Sequence, residues 1–164
     1  MPSIYTLLEA RLGRDKTGFT PEEARELLNV EKTLYVATLG REGWPWLVPL
    51  GFVELHGHLW AGTSATTRKA RNLERDNRAG LLVEAGGDGD DPRQLRGMTI
   101  EADATIHREF AFVVEREHQI RDRYPGSIPA DMDEERFRQA LRSARRIIIE
   151  FEPRHVRSWD YRKL

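Results

Sequence analysis

Residues 59–73, from Leu59 to Leu73, read LWAGTSATTRKARNL and couple a strand to a helix through a hydroxyl-rich turn. The strand pattern runs through His58, Leu59, Trp60 and Ala61, the turn from Thr63 to Thr67, and a helical pattern opens at Arg68. Arg68 and Lys69 therefore fall in the first helical turn. Cations are unfavourable there, because the helix macrodipole and the free N–H groups already supply partial positive charge. A bound anion is the natural compensation, and a phosphate matches backbone donors, hydroxyls and two cations at once. The plainer alternative is a surface helix whose basic side chains point into water.

Upstream of this stretch, Thr33 opens TLYVATL, rich in the β-branched and aromatic residues that suit strands. The turn Gly40-Arg41-Glu42-Gly43 separates it from a second run, Trp44 to Val53, and His56-Gly57 turns tightly into a third, His58 to Ala61. Connections this short predict a three-strand antiparallel meander. Two helices are expected before it, Ile4 to Leu12 and Pro21 to Leu28, packed as a lid or edge cover. The second carries Thr20 as N-cap, Pro21 at the first helical position and Glu23 for a capping box.

Downstream, a short helix from Arg68 to Arg75 leads into Ala79 to Ala85, a buried strand, and then a polar loop, GGDGDDPRQLR. From Gly97 to His107, Met98, Ile100, Ala102, Ala104 and Ile106 alternate with polar residues, which predicts a strand with one wet face. Helical spacing runs from Phe110 to Tyr124 and stops at Pro125-Gly126, and a further helix is expected from Asp133 to Ala144. RIIIEFE, Arg146 to Glu152, reads as a last core strand ended by Pro153, with Trp159 and Tyr161 on a short strand or ordered arm beyond it. The fold class is α+β, mainly β: a six-stranded antiparallel barrel with peripheral helices. Residues 1–164 are read as one domain, with a helical segment at 1–30, a barrel core at 31–161 and a helical insertion at 108–145.

The composition narrows the chemistry. The formal charge of −1 over 164 residues argues against a dedicated nucleic-acid surface. Cysteine is absent, so disulfides, thiolate metal sites and cysteine nucleophiles are excluded. No basic leader or membrane-length apolar run is present, so a soluble cytoplasmic protein without membrane contacts is expected. HExxH, GxSxG, Walker and GxGxxG patterns are missing. The histidines are dispersed, and the acidic loop Asp88, Asp90, Asp91 lacks the closing glutamate of a calcium loop, so no metal site is expected. What remains is the anion turn, strand backbone beside it, and large aromatics at Trp44, Trp46, Phe52, Trp60 and Trp159, a combination that suits a flat phosphorylated cofactor.

The order of three segments, YVATLGREGWPWLVPLGFV, LWAGTSATTRKARNLERDNRAGLLVE and RIIIEFEPRHVRSWD, resembles the pyridoxamine 5'-phosphate oxidase-like family over roughly Glu31 to Tyr161. The resemblance implies a six-stranded split β-barrel that dimerises and holds FMN between its subunits. It carries Arg68 and Lys69 onto the pair that grips the cofactor phosphate and Thr63 onto a hydroxyl beside it; Ser64 is expected to complete that cradle with Thr63, and Gly62 is counted among the cofactor-binding residues. Leu47, Val48, Pro49 and Leu50 fall on the segment whose backbone lines the flavin ring, Arg96 on the ring's polar edge, and Trp159 on the arm that closes the pocket. Gly62 stands where pyridoxamine phosphate oxidases tend to have an aromatic, and Phe52 where a basic residue is common. The chain is therefore more similar to the small reductases beside that enzyme. The expected function is hydride transfer through the flavin N5 to or from a small-molecule substrate, with no catalytic side chain named. The alternatives are a deazaflavin-dependent reductase of the same fold and a non-catalytic flavin- or haem-binding protein.

Overall fold

The computed structural model describes residues 2–87, 89–129 and 131–164. In chain order its elements are α1 (Ile4–Glu9), α2 (Pro21–Val30), β1 (Thr33–Leu39), β2 (Pro45–Gly51), β3 (Val53–Leu55), β4 (His58–Ser64), α3 (Arg68–Arg75), β5 (Arg78–Ala85), β6 (Arg96–His107), α4 (Phe110–Asp122), α5 (Glu134–Ser143) and β7 (Arg146–Asp160). The strands join in one antiparallel sheet in the order β2-β1-β5-β6-β7-β4-β3.

That order forces the sheet to close. β2 and β3 sit at its opposite ends, yet only Phe52 separates them in the chain. One residue advances the chain by about 3.5 Å, so the two ends must meet and the sheet curls into a split barrel. The seam is built from the two residues that follow α4: Phe52 is fully buried, its N–H donates to Tyr124 Oη at 2.9 Å, and its carbonyl accepts from Arg123 Nη1 at 2.9 Å. Satisfying both backbone groups off the ladder lets the strand break there without leaving orphaned polar atoms.

The break at Phe52 corrects two sequence expectations. Trp44 to Val53 is two strands rather than one, which makes seven strands among the described residues instead of six. The three-strand meander becomes two hairpins, β1 with β2 and β3 with β4. The second hairpin turns on His56 and Gly57, with φ of 56° and 81°. That pair of left-handed conformations makes a tight turn whose twist matches the strands. A side chain at Gly57 would overlap Ser3, and the Gly57 carbonyl accepts the Ile4 N–H at 3.1 Å, which docks α1.

Pro153 does not end the last strand. β7 runs for 15 residues, but β4 covers it only as far as Phe151. Beyond that point β6 is its only strand neighbour among the described residues, and the β6 register shifts between Glu101 and Ala102, opposite Pro153. A proline without an N–H is tolerated where the ladder is already interrupted.

The helices contribute more than a cover. The α2 capping box forms as read, Thr20 N–H to Glu23 Oε2 at 2.7 Å and Glu23 N–H to Thr20 Oγ1 at 3.3 Å. Ile4, Leu8, Leu27 and Leu28 then join Leu34, Val36 and Phe151 in one buried cluster, so α1 and α2 plug the barrel's end. On the outer face, α4 covers Trp60 and Ile148 with Val113 and Ile120, and α5 packs Phe137 and Leu141 against Val114. In the acidic loop Asp91 pairs with Arg93 at 2.9 Å, and Asp88 lies outside the described residues. Among the described residues no helix is long and apolar enough to cross a membrane.

Candidate functional site

The turn between β4 and α3 spends most of its donors locally. Ala65 N–H reaches Arg145 O at 2.9 Å, Thr66 N–H reaches Ser64 Oγ at 3.3 Å, and Thr67 N–H reaches Ser64 O at 3.2 Å. Thr67 caps the helix, its hydroxyl accepting the Ala70 N–H at 3.4 Å. The Arg68 and Lys69 amides, in the first turn, have no helical acceptor. Thr63 is only 3% exposed, with its hydroxyl 3.4 Å from that of Thr67, whereas Ser64 is half-buried with its hydroxyl 3.0 Å from that of Thr66.

The two cations of the turn differ. The exposed Arg68 guanidinium lies over the Trp46 ring, 4.3 Å from its centroid, which ties α3 to β2. Lys69 is half-buried and makes no hydrogen bond or ion pair among the described residues. Burial, and then the charge of Arg146, hold its ammonium below the usual lysine range. Arg146 stands directly across from Ser64 in the β4–β7 ladder. Its guanidinium binds Glu117 through Nη2 at 2.5 Å and Nε at 2.8 Å, and Arg121 approaches the same carboxylate at 3.3 Å. Glu117 is 1% exposed. One carboxylate thus faces two guanidiniums, with a lysine beside them, and the local balance is positive.

Gly62 belongs to this cluster. A Cβ at that position would overlap the Glu117 carboxylate and the Arg146 guanidinium. The bare strand at Gly62 is the space in which α4 and β7 place their ion pair. Gly62, Gly51, Ile120 and Tyr124 line an open groove of about 270 Å³ with Arg121 and Arg146 at its polar side.

Leu47, Val48, Pro49 and Leu50 lie on β2, an end strand paired with β1. Leu47 is 63% exposed and Trp44 73%, an apolar edge whose outer backbone groups have no strand partner among the described residues. The curl of the barrel brings β2 against β4, so Leu47–Leu50 and Gly62–Ser64 share one region with Arg68 and Lys69.

Arg96 and Trp159 do not join them. They sit at the far end of β7, where Arg96 is in register with Asp160 and 3.7 Å from Glu26, and Trp159 packs over Gly97 with its indole N–H buried and unpaired. Arg146 and Trp159 are separated along β7 by about 40 Å of extended chain.

Sequence reading missed Glu117, Arg121 and Arg146, whose signal was the bare Gly62 beside an otherwise bulky strand. A second basic feature lies outside α3, where Arg41, Arg68, Arg71 and Arg75 border an open cleft of about 890 Å³. Of the two carboxylates there, Glu74 is already taken by Arg108, while Arg71 donates to the Thr66 carbonyl at 2.8 Å and Arg75 to the Leu39 carbonyl. Among the described residues no group of three or more His, Asp or Glu is arranged to hold a metal ion.

Comparison with known proteins locates this architecture. The family described as Pyridoxamine 5'-phosphate oxidase matches residues 20–160. The conserved hypothetical protein Rv2991 from Mycobacterium tuberculosis is similar at 30% identity, with 92% of this chain and 90% of that one covered and a TM-score of 0.77. At 21% identity an F420 reductase shares the fold over 80% of this chain and 94% of its own, with a TM-score of 0.61. HutZ, a haem storage protein from Vibrio cholerae, shares it at 19% identity over 82% and 91%, with a TM-score of 0.64. No curated protein matches the chain.

Proposed function

Because the chain belongs to the pyridoxamine 5'-phosphate oxidase family of split β-barrels, we propose that it binds FMN and acts as an oxidoreductase on a small molecule. The observation that carries this reading is Lys69, a half-buried ammonium at a helix N-terminus, beside another cation and without an acid of its own. A phosphate monoester supplies the missing negative charge and accepts from the Arg68 and Lys69 amides together. Ser64 offers a hydroxyl to the same anion, and Thr63 supports the turn from below through Thr67. The unpaired edge of β2 at Leu47–Leu50 presents backbone donors and acceptors, Pro49 excepted as a donor, to the polar edge of a ring, while Trp46 and Leu47 shield it from water. A bound flavin supplies hydride transfer at N5, and the residues of this chain supply position and charge.

The reading includes a homodimer with the cofactor at the subunit interface. The exposed apolar edge formed by Trp44, Trp46 and Leu47 supports it, as does the distance of Arg96 and Trp159 from Lys69 within one chain. Sedimentation of the purified protein is expected to give twice the chain mass, and Leu47→Lys, which sets a charge on that edge, is expected to shift it toward the monomer.

The first test is an absorption spectrum after mixing with FMN and removing unbound ligand, and retention near one flavin per chain is expected. The affinity should also depend on pH with a defined sign. A bound phosphate favours the charged lysine, whose pKa in the free protein is depressed. Binding is therefore expected to weaken as pH rises through that depressed value, below the range where an ordinary lysine titrates. An affinity constant across that range counts against Lys69 as the phosphate ligand.

A deazaflavin coenzyme with a longer anionic tail is the second reading, favoured by the cleft of Arg41, Arg68, Arg71 and Arg75. Replacing Arg41 and Arg71 together by alanine is expected to lower deazaflavin affinity by about tenfold, on the scale of a lost charge-assisted hydrogen bond, and to leave FMN unaffected. Equal effects on the two coenzymes would remove that assignment.

A further inference from the structure

The groove beside the phosphate turn has a composition that the cofactor reading does not use. Gly51 and Gly62 border it, and its apolar wall is Ile120 with Tyr124. The two glycines are bare for a reason visible in the packing: a Cβ at Gly51 would press on the Tyr124 ring at 3.0 Å, and one at Gly62 would displace the Glu117–Arg146 pair. The space above both glycines is thus already filled, by the Tyr124 ring and by the ion pair, and the open part of the groove, about 270 Å³ beside Ile120 and Tyr124, is room for a compound of one ring and a substituent.

The polar side of the groove selects charge. Arg121 spends its Nε on Glu117 and its Nη1 on the Ser127 carbonyl at 3.2 Å, and it lies over the Phe137 ring. Arg146 spends Nε and Nη2 on Glu117, and its Nη1 has no partner among the described residues. The groove therefore carries two guanidiniums against one carboxylate, with Lys69 adding positive potential from the turn. Glu117 is buried and held from both sides, so it fixes the Arg146 guanidinium rather than offering itself to a ligand. An incoming carboxylate meets a donor already oriented and a field of the right sign.

We propose that this groove is the substrate subsite and takes a small carboxylate of one-ring size, with the acid group on Arg146 and the apolar body against Ile120 and the Tyr124 ring. The assignment as a substrate subsite rests on the cofactor reading of the neighbouring turn. Carboxylate binding in the groove does not, because it needs neither Lys69 as a phosphate ligand nor a bound flavin.

The test uses benzoate and its neutral isostere benzamide as probes, titrated into the purified full-length protein without added cofactor and followed by amide and Ile methyl NMR shifts. Saturable benzoate shifts centred on Ile120, Gly51 and Gly62 are expected, with benzamide weaker by about tenfold, on the scale of one charge-assisted hydrogen bond. Arg146→Gln, checked for folding by its retained amide spectrum, is expected to abolish the preference for benzoate. Arg146→Lys, which keeps the charge, guards against loss of the fold and is expected to retain part of it. Equal binding of the two probes, no saturable binding, or benzoate shifts centred instead on the basic cleft of Arg11, Arg14 and Arg157 would overturn the proposal. Inorganic phosphate titrated in parallel reads the turn through the Ser64 and Lys69 amide shifts. Failure of the turn and failure of the groove are thereby read separately.

Discussion

Arg123→Ala is expected to lower the melting temperature by about 6–12 °C, the shift that about 3 kcal/mol produces in a chain of this size. The guanidinium donates to the carbonyls of Leu28, Asn29 and Glu31, at the end of α2, and to that of Phe52, at distances of 2.7–3.1 Å. It also lies 4.6 Å from the Phe52 ring centroid. Burial pushes its pKa down, so the charge carries a desolvation cost that only these partners offset. Deleting it removes a charged donor from four carbonyls at once and loosens the junction of helix α2, strand seam and helix α4. Thermal unfolding followed by circular dichroism checks the size of the effect. Arg123→Lys should recover only part of the loss, because one ammonium cannot reproduce a planar fork that reaches two separate segments. A melting temperature unchanged by the alanine variant would mean that water replaces the guanidinium at every carbonyl.

Lys69→Ala is expected to weaken FMN binding about 10- to 100-fold, the loss of a charged hydrogen bond worth about 1.5–3 kcal/mol. The effect on the free protein should have the opposite sign. The ammonium is held half-buried beside Arg146, and its depressed pKa means that the folded state disfavours the charge. At neutral pH the alanine variant should therefore be no less stable than the parent, and stability of the parent should rise as pH increases through the depressed pKa. Arg68→Ala should cost less affinity, since that guanidinium is exposed and already engaged with Trp46. Titration calorimetry with FMN and a thermal melt of the same variants separate the two effects. A fall in stability without a fall in affinity would assign Lys69 a packing role.

Part of this architecture was legible in short stretches of sequence. Thr67 caps α3 and Thr20 caps α2 where the hydroxyl residues stand, and β6 buries Met98, Ile100, Ala102 and Ala104 on the face their alternation indicates. The turn carrying Ser64, Arg68 and Lys69 could be read because its parts are adjacent in the chain. Leu47–Leu50 could be read only as a strand, and the fold brings that strand to the turn. Arg96 and Trp159, grouped with the turn by resemblance, lie at the other end of β7, which pattern alone gave no means of seeing.

What the sequence by itself determined is local: which residues cap, which alternate, which turn, and that two cations open a helix behind a strand. Those properties depend on backbone geometry within a few residues and on side-chain chemistry, both written in consecutive positions. The tertiary structure alone decided the rest. Phe52 divides a continuous apolar run because Arg123 and Tyr124, some seventy residues later, satisfy its backbone. β7 passes through Pro153 because β4 has ended and the β6 register has slipped there. Glu117, Arg121 and Arg146 meet over Gly62 because α4 lies across β4 and β7, and the charge of that groove is a sum over elements that no single stretch of sequence contains.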